Sequence, residues 1–396
     1  MENEIRSQVL KLVSEFENER VSIPFDLMDS TAEVISALRE ALSDAPDSPR
    51  FGALRFIAGT KLAKELIPEI IHAASDIDSD TRYTAFSRLE EIGPERGVIA
   101  ALVEKLQSNN RERRRLAADV LGSSKFDSGW TEPLAREAIP ALLQMLKDDD
   151  RTFVRCPAAK VLANLGLLAI NAVPALLKAM KDNQSGSWGV QCEAIIAMGK
   201  IGPQNGVVKS LIGALNSYQP ETPLRNMLHK HAAEALARIG PEDAVIKALL
   251  KALRTEDGVI EMVPGGYSTY AGRALSAIGP EPAILTGLVN GLRDRNKLVR
   301  RGSAATLGLL RSGAWDAVNP LVDAMNDKDN DVVLACIIAL NRIGSTRTSL
   351  IPDFRRVPFW ETTMDPRVPS EWAALVPALT RLRWTPLVGQ VWCEIK

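Results

Sequence analysis

Ala235-Leu236-Ala237-Arg238-Ile239-Gly240-Pro241 is the stretch that decides the fold, because a near copy, Ala274-Leu275-Ser276-Ala277-Ile278-Gly279-Pro280, follows 39 residues later. The same Ile-Gly ending also stands at Ile92-Gly93, Ile201-Gly202 and Ile343-Gly344. A fixed period of about 40 residues is typical of stacked repeats and not of a domain with one central core. Such an array offers a large surface to partners and has no natural cleft for chemistry. The repeat therefore favours binding over catalysis.

The residues before each glycine follow the spacing of an amphipathic helix. Apolar residues stand one and four positions before the glycine, and a small alanine often stands five before it. The column four before the glycine contains Leu89, Leu162, Met198, Leu236, Leu275 and Leu340. These offsets predict a helix with one apolar face. Glycine then ends the helix in a left-handed conformation, and the following proline suits the first turn of the next helix.

A second helix precedes each of these. Its apolar pattern is clear in Ala138–Lys147, Ala172–Lys181 and Ala317–Met325. Acidic turns such as Asp148-Asp149-Asp150 follow, and Asp or Asn there can cap the next helix by accepting its free N–H groups. One repeat is therefore predicted as helix A, an acidic turn, helix B and an Ile-Gly-Pro turn.

At this point the chain resembles the HEAT-repeat family. The resemblance rests on the proline near the start of helix A, the Asp-containing turn, and the segments Asp150–Arg155 and Asn296–Arg300, and it covers roughly residues 50 to 344. It is strongest to the short-repeat subgroup that includes phycobilisome lyase-type proteins. The resemblance implies an all-α fold, an α-α superhelix or HEAT-like solenoid of about eight or nine helix pairs with a cap at each end.

Three segments are predicted. Residues 1–30 are an N-terminal capping helix, 31–344 are the HEAT-repeat solenoid, and 345–396 are a Pro- and Trp-rich C-terminal cap with a helix near Trp372–Leu382. The tail contains four of the seven tryptophans. These rings either cover the last repeat or dock a partner, and capping is favoured because a terminal repeat needs a cover.

Composition and charge exclude several classes. The net charge is −1, so the chain as a whole lacks the basic footprint of a nucleic-acid binder. No secretory signal and no run of about eighteen apolar residues is visible, so neither secretion nor a membrane span is expected. The four cysteines form no CxxC pair. A reducing cytoplasm is the expected location.

The sequence predicts no catalytic residue, no metal and no cofactor. Histidine occurs three times, without the His-Glu dipeptides that bind iron in metal enzymes built from HEAT repeats. His229 and His231 are interpreted as surface or helix-start residues, with a metal or catalytic role as the alternative. Cys156 and Cys192 share one repeat position, ten residues before the glycine, and are expected to be core thiols.

Arginines cluster at the start of two B helices. In the HEAT-repeat family an arginine near this point commonly pairs with the acidic turns of neighbouring repeats, and Arg115 and Arg300 best fit that structural position. The others are candidates for contact with an anionic partner. They are Arg111, Arg113, Arg114 and Arg301.

Three consecutive A-to-B connections are long and contain aromatic residues. Equivalent loops of a solenoid project from the same edge, so their rings are predicted to form one ridge. The predicted partner-binding residues of this aromatic ridge are Trp188, Tyr218, Tyr267 and Tyr270, flanked by Arg225. Tyr and Trp are the residues that anchor interfaces. The alternative is that each ring folds back over its own loop. The fragment Pro264–Tyr267 is interpreted as a flexible turn.

The predicted function is a non-catalytic protein–protein interaction scaffold, adaptor or regulatory subunit whose partner is another protein. One alternative is a bilin lyase or isomerase, implied by the phycobilisome lyase-type resemblance. Another is nucleic-acid binding through the Arg-rich B helices, in the manner of HEAT-like alkylpurine glycosylases. The oligomeric state stays open.

Overall fold

The computed structural model describes backbone over most of the repeats. The described residues are 2–16, 32–43, 49–148, 152–182, 187–204, 206–216, 223–255, 261–263 and 266–344. The predicted C-terminal cap, 345–396, with its helix near Trp372, therefore lies outside the described residues. By its contacts the chain divides into two compact units, which we call unit 1 (Met1–Ile201) and unit 2 (Gly202–Lys396).

Unit 1 contains twelve α-helices among its described residues. They are α1 (Glu2–Phe16), α2 (Ala32–Ala41), α3 (Arg50–Phe56), α4 (Leu62–Glu65), α5 (Ile67–Ala73), α6 (Ser79–Ile92), α7 (Arg96–Leu106), α8 (Arg111–Leu121), α9 (Glu132–Asp148), α10 (Thr152–Leu165), α11 (Val173–Met180) and α12 (Trp188–Ile201). Short 3₁₀ turns span Ser124–Asp127 and Gly166–Ala172.

Unit 2 continues the same pattern with one exception, a two-stranded hairpin. Its elements are α13 (Val207–Leu215), α14 (Pro223–Ile239), α15 (Asp243–Ala252), β1 (Glu261–Val263), β2 (Gly266–Ser268), α16 (Tyr270–Ile278), α17 (Pro282–Gly291), α18 (Lys297–Leu310), α19 (Val318–Ala324) and α20 (Asn330–Gly344). A 3₁₀ turn spans Arg311–Ala317.

The helices form pairs. In the described residues nine pairs follow one another, from α2 with α3 to α19 with α20, which confirms the all-α solenoid. In unit 1 the B helices α6, α8, α10 and α12 stack in order, and in unit 2 α14, α16, α18 and α20 do the same. The helix α1 packs against α2 and α3. Each repeat therefore buries its apolar stripe against its neighbours in the stack.

The glycine of the repeat motif ends helix B as predicted. Gly93, Gly202, Gly240 and Gly279 have φ between 90° and 110°, where residues with a Cβ are strained. The next helix A begins a few residues later.

The acidic turns cap the B helices. The side chain of Asp78 accepts a hydrogen bond from the Thr81 amide at 2.7 Å, and Asn110 and Asn296 accept from the first amides of α8 and α18. These bonds satisfy amides that have no partner inside the helix. One prediction about helix A needs correction: α9 begins at Glu132, so Pro140 lies inside the helix and not near its start.

One described run, Phe153–Met180, is long and apolar enough by mean hydropathy to cross a membrane. It is not a single helix. The 3₁₀ turn at Gly166, with φ 53°, separates α10 from α11, and these two helices pack in consecutive repeats. Nearly half of its most apolar window is buried in the protein, which is typical of core helices in a repeat array.

Candidate protein-binding surface

A long polar side chain four residues after the N-cap fastens helix B to its own turn. Arg82, Arg114 and Arg300 each donate from Nη1 to two backbone carbonyls of the turn before the helix, at 2.8 to 3.2 Å. The structure therefore contains the predicted position for a structural arginine near the start of helix B, and Arg300 occupies it. The assignment of Arg115 to it is wrong, because Arg114 is the residue that lies four after the N-cap Asn110.

Arg300 and two other arginines also connect consecutive repeats. Arg300 donates to both carboxylate oxygens of Asp327 in the next turn, at 2.5 and 2.9 Å. Arg155 forms an ion pair with Asp182, and Arg50 pairs with Asp76 at 3.0 Å. These pairs confirm the prediction that acidic turns bind arginines of neighbouring repeats.

His229 takes the equivalent position in α14. Its side chain is completely buried, and Nδ1 lies 2.6 Å from the carbonyl oxygen of Leu215, the last residue of α13. The interpretation of His229 as a surface or helix-start histidine is therefore wrong: it joins helix A to helix B. His231 lies 3.4 Å from Glu234 on the same helix, and this interaction lowers the pKa of Glu234.

The arginines singled out for an anionic partner all contact groups of the chain itself. The guanidinium of Arg111 lies 5.6 Å from the centre of the Phe153 ring, and Arg113 donates to the carbonyl of Ser75 in the preceding repeat. Arg301 lies 3.7 Å from Asp331 in the following one. Arg114 contacts two carbonyls of its own turn, so each of the four residues has a contact within the chain, and their role toward an anionic partner stays a prediction.

Among the described residues of unit 1, the most exposed aromatic side chains lie on three of the B helices. Tyr83 on α6 is 63% exposed, Phe153 on α10 is 45% exposed and Trp188 on α12 is 43% exposed. The intervening helix α8 contributes Arg111, which stacks over Phe153. We call Tyr83, Arg111, Phe153 and Trp188 the B-helix face of unit 1. Large exposed rings beside arginine are the composition that interfaces favour.

The charge of Arg115 on α8 is balanced within the same helix. Arg115 lies between Glu112 and Asp119, at 2.6 and 2.5 Å from their carboxylates. Its hydrogen bond to Glu112 lowers the pKa of that carboxyl group, whereas burial raises the pKa of Asp119. The arginine is less exposed than either carboxylate, so the acidic groups face the solvent.

The aromatic ridge is only partly within the described side chains. Trp188 is exposed at the start of α12, and Tyr270 is half-buried with its ring centre 6.0 Å from that of His229. Tyr267 pairs with Met262 in the hairpin, so Pro264–Tyr267 is not simply a flexible turn, although Pro264 and Gly265 lie outside the described residues. Tyr218 lies outside them too, and Arg225 is described only as backbone in α14.

The three described cysteines are free thiols, of which Cys192 and Cys336 are buried and Cys156 is half-buried. Burial raises the pKa of Cys156 to about 11, and those of Cys192 and Cys336 to about 12. A thiol with so high a pKa is a poor nucleophile at neutral pH. Among the described residues, no group of His, Cys, Asp and Glu is arranged to hold a metal ion.

Tyr83 and Phe153 were missed by sequence reasoning. Both lie on the face of helix B that is free of helix A, ten and thirteen residues before the helix-ending glycine. An alignment of all repeats on their glycines would have identified Tyr83 and Phe153, because most other aligned positions of helix B are occupied by core residues.

Comparison with known proteins agrees with the repeat architecture. The model of HEAT repeats matches residues 35–122, 99–186, 139–225 and 285–352, together more than half of the chain. It is a general model, so the phycobilisome lyase-like subgroup stays a prediction. No curated protein matches the chain significantly.

Solved structures with a similar fold include large helical-repeat proteins. Kap121p has a TM-score of 0.55 at 13% identity, and Kap121p bound to Pho4p has 0.56 at 14%. The alignments cover 96% and 95% of this chain and 43% of each Kap121p chain. Importin beta has a TM-score of 0.50 at 14% identity, over 87% of this chain and 51% of that one. The chain thus spans about half the length of these proteins, and the likeness shows the fold alone.

Proposed function

The chain belongs to the HEAT-repeat family, and we propose that it is a non-catalytic scaffold, adaptor or regulatory subunit that binds another protein. The observation that carries this proposal is the B-helix face of unit 1. Three large rings stay exposed on stacked helices whose other large apolar residues are buried or half-buried. Isolated apolar residues are normal on a surface, but rings gathered on one side of a stack are typical of a binding site.

The rings suit rigid anchoring. Tyr83, Phe153 and Trp188 have few rotatable bonds, so fixing them in an interface costs little conformational entropy. The backbone beneath them is held where Arg82, Arg155 and Gln191 donate to carbonyls that precede each helix, which keeps the rings in register. Neighbouring B helices lie about 8 to 10 Å apart, so an extended segment lying across them would meet a new helix every three residues or so.

The fold relatives are compatible with this role. One of the structures with a similar fold is Kap121p bound to Pho4p, which is a protein held by a helical-repeat protein. The proposal takes from this only that the architecture is suited to protein partners. We place the scaffold in a reducing compartment such as the cytoplasm, since its described cysteines are free.

The aromatic ridge of Trp188, Tyr218, Tyr267 and Tyr270, flanked by Arg225, is the second surface of the proposal. Trp188 is common to both surfaces. Replacing Trp188 and Tyr267 by Ala tests the ridge, whereas replacing Trp188 and Phe153 by Ala tests the B-helix face.

The experiment is affinity capture from an extract of the native host with quantitative mass spectrometry, followed by titration of the purified partner. Loss of one interface anchor costs about 2 kcal/mol, roughly 30-fold in affinity. The matched control is Leu167→Ala, which removes an apolar side chain that is even more exposed (69%) and lies in the 3₁₀ turn Gly166–Ala172, outside both surfaces. A partner captured equally by the Trp188 Phe153 double variant, the Trp188 Tyr267 double variant and the control would refute both surfaces.

A further inference from the structure

The B helix of one repeat in unit 2 begins late. The helix α16 has 9 residues, whereas α6, α12 and α18 have 14 each. Because α16 still ends at the motif glycine, Gly279, the missing residues belong to its first turns. The chain there forms the β1–β2 hairpin instead.

The residue that normally fastens the start of helix B is changed in this repeat. In other repeats, the residue eleven positions before the motif glycine is Arg82, Gln191 or His229. The side chain of each lies within hydrogen-bond distance of a backbone carbonyl at, or just after, the end of helix A of the same repeat. In this repeat the same position is Ser268, which is buried while its Oγ has no hydrogen-bond partner. A serine is too short to make the contact that Arg82, Gln191 and His229 make, so this repeat lacks that link between helix A and helix B.

The hairpin lies on other repeats. The backbone of β2 packs against both α18 and α20, the B helices of the next repeat and of the one after it. The hairpin thus lies along two helices that are not its sequence neighbours. A connection that only joined α15 to α16 would have no need to reach them.

The outward positions of α18 and α20 are apolar. Leu298 stands thirteen residues before Arg311, which takes the place of the motif glycine, and Leu334 stands ten before the motif glycine Gly344. Phe153 and Tyr83 have the same two positions on the exposed face of unit 1. Both leucines are half-buried, whereas Phe153 and Tyr83 are exposed. We call Leu298 and Leu334, with the backbone of α18 and α20 that bears them, the strapped face.

The hairpin is short. Its register contains three residue pairs, Glu261 with Ser268, Met262 with Tyr267 and Val263 with Gly266. A two-stranded hairpin is at best marginally stable alone in water, so the hairpin stays folded only because it packs against the helices. An extended segment of similar chemistry can therefore compete with the hairpin for the same position on the helices.

We propose that the β1–β2 hairpin is a built-in occupant of the strapped face, and that a partner binds there by displacing it. The partner contributes an extended segment that takes the place of β2, Gly266-Tyr267-Ser268, against α18 and α20. The proposal rests on the proposed function as a protein-binding scaffold and adds a regulated site to it. Because the hairpin is tethered, its effective concentration is in the millimolar range and it excludes weak competitors.

The test uses the hairpin itself as the probe. A fluorescent synthetic peptide with the sequence of residues 257–270 is titrated against the full chain and against a variant in which residues 259–268 are replaced by a Gly-Ser linker of equal length. We expect binding to the linker variant, at least tenfold weaker binding to the full chain, and slower amide exchange in α18 and α20 when the peptide is bound.

A second variant guards against misfolding of the first. Val263→Pro removes one backbone donor from the short ladder and loosens the hairpin without deleting it. This variant is expected to bind the peptide with intermediate affinity. Failure of both variants to bind, with helical circular dichroism unchanged, or equal binding to the full chain, would overturn the proposal.

The outcome does not depend on a native partner. Peptide binding without any captured partner contradicts only the proposed function, and a captured partner without peptide binding contradicts only the strapped face. If the linker variant forms dimers and the peptide reverses the dimerisation, the strapped face binds a second copy of the chain. That result would overturn the proposal of a different partner protein.

Discussion

Arg300 and Asp327 lock two consecutive repeats together through two parallel hydrogen bonds. Both side chains are only 9% exposed, and Nη1 of Arg300 is at the same time bound to the carbonyls of Asp294 and Arg295. The guanidinium therefore joins its own turn to the next one. A planar fork of donors can do this, whereas a lysine ammonium cannot make the paired contact.

Replacing Arg300 by Ala is expected to lower the free energy of unfolding by about 3 kcal/mol, because it leaves the Asp327 carboxylate buried without its partner. The measurement is chemical denaturation followed by helical circular dichroism. The control is Arg136→Ala, which breaks an exposed pair with Glu132 at 2.6 Å and is expected to cost less than about 0.5 kcal/mol. Equal losses in the two variants would contradict the locking role.

Asp78 predicts a pH-dependent contribution to stability. Hydrogen bonds from Thr81, first that of its amide, hold the pKa of this carboxyl group below its ordinary value of 3.8. The pKa of Asp78 is lower in the folded state than in the unfolded state. Its contribution to the free energy of unfolding is therefore complete above the ordinary pKa and is lost as the pH falls below that pKa. Asp78→Ala is therefore expected to cost about 1 kcal/mol at pH 7 and less at pH 3.

The matched control for Asp78 is Asn110→Ala. Asn110 caps α8 in the same way, by accepting from the amides of Glu112 and Arg113 at 2.9 and 3.2 Å, but it carries no charge. Its loss should cost a similar free energy that does not change between pH 7 and pH 3. A pH-independent cost at Asp78 would show that its charge plays no part.

Arg311 is the one described non-glycine residue with a positive φ, 52°, and it stands where the related turn of unit 1 has Gly166, with φ 53°. Arg311→Gly is expected to raise the free energy of unfolding by about 1 kcal/mol, because it relieves the backbone strain. Gly166→Ala makes the opposite change, with the nearest atom 3.9 Å from the new Cβ, and is expected to lower stability by a similar amount. A loss of stability in Arg311→Gly would mean that its side chain makes a contact worth more than the strain.

The buried thiols predict slow chemical modification. In a Cys393→Ser background, Cys192 and Cys336 are expected to resist a thiol reagent at pH 8, since their pKa values of about 12 leave little thiolate. All the remaining thiols should react at once in denaturant. Rapid labelling of the native protein would show that the core around them opens.

The regular part of the fold was predictable, because it depends on local rules. The Ile-Gly motif identifies where each helix B ends, since only glycine takes the φ near 100° found at Gly240. Acidic turns identify where the next helix B begins. Helix pairs, their number and the stacking follow from these two rules.

The errors arose where a long side chain reaches beyond its own helix. Arg114 and Arg115 are neighbours in sequence, and only the N-cap at Asn110 shows which of them points back to the turn. His229 was placed at the surface because its role depends on the carbonyl of Leu215, fourteen residues away. The hairpin was missed because each of its strands has only three residues, too few for an alternating pattern to be recognised.

The Arg–Asp links described above have a consequence for biosynthesis. Arg155 and Asp182, like Arg300 and Asp327, are only 27 residues apart. A repeat can therefore be linked to the one before it once about thirty more residues have left the ribosome. With contacts this local, the chain is suited to fold in step with its own synthesis, one repeat after another from the N-terminus.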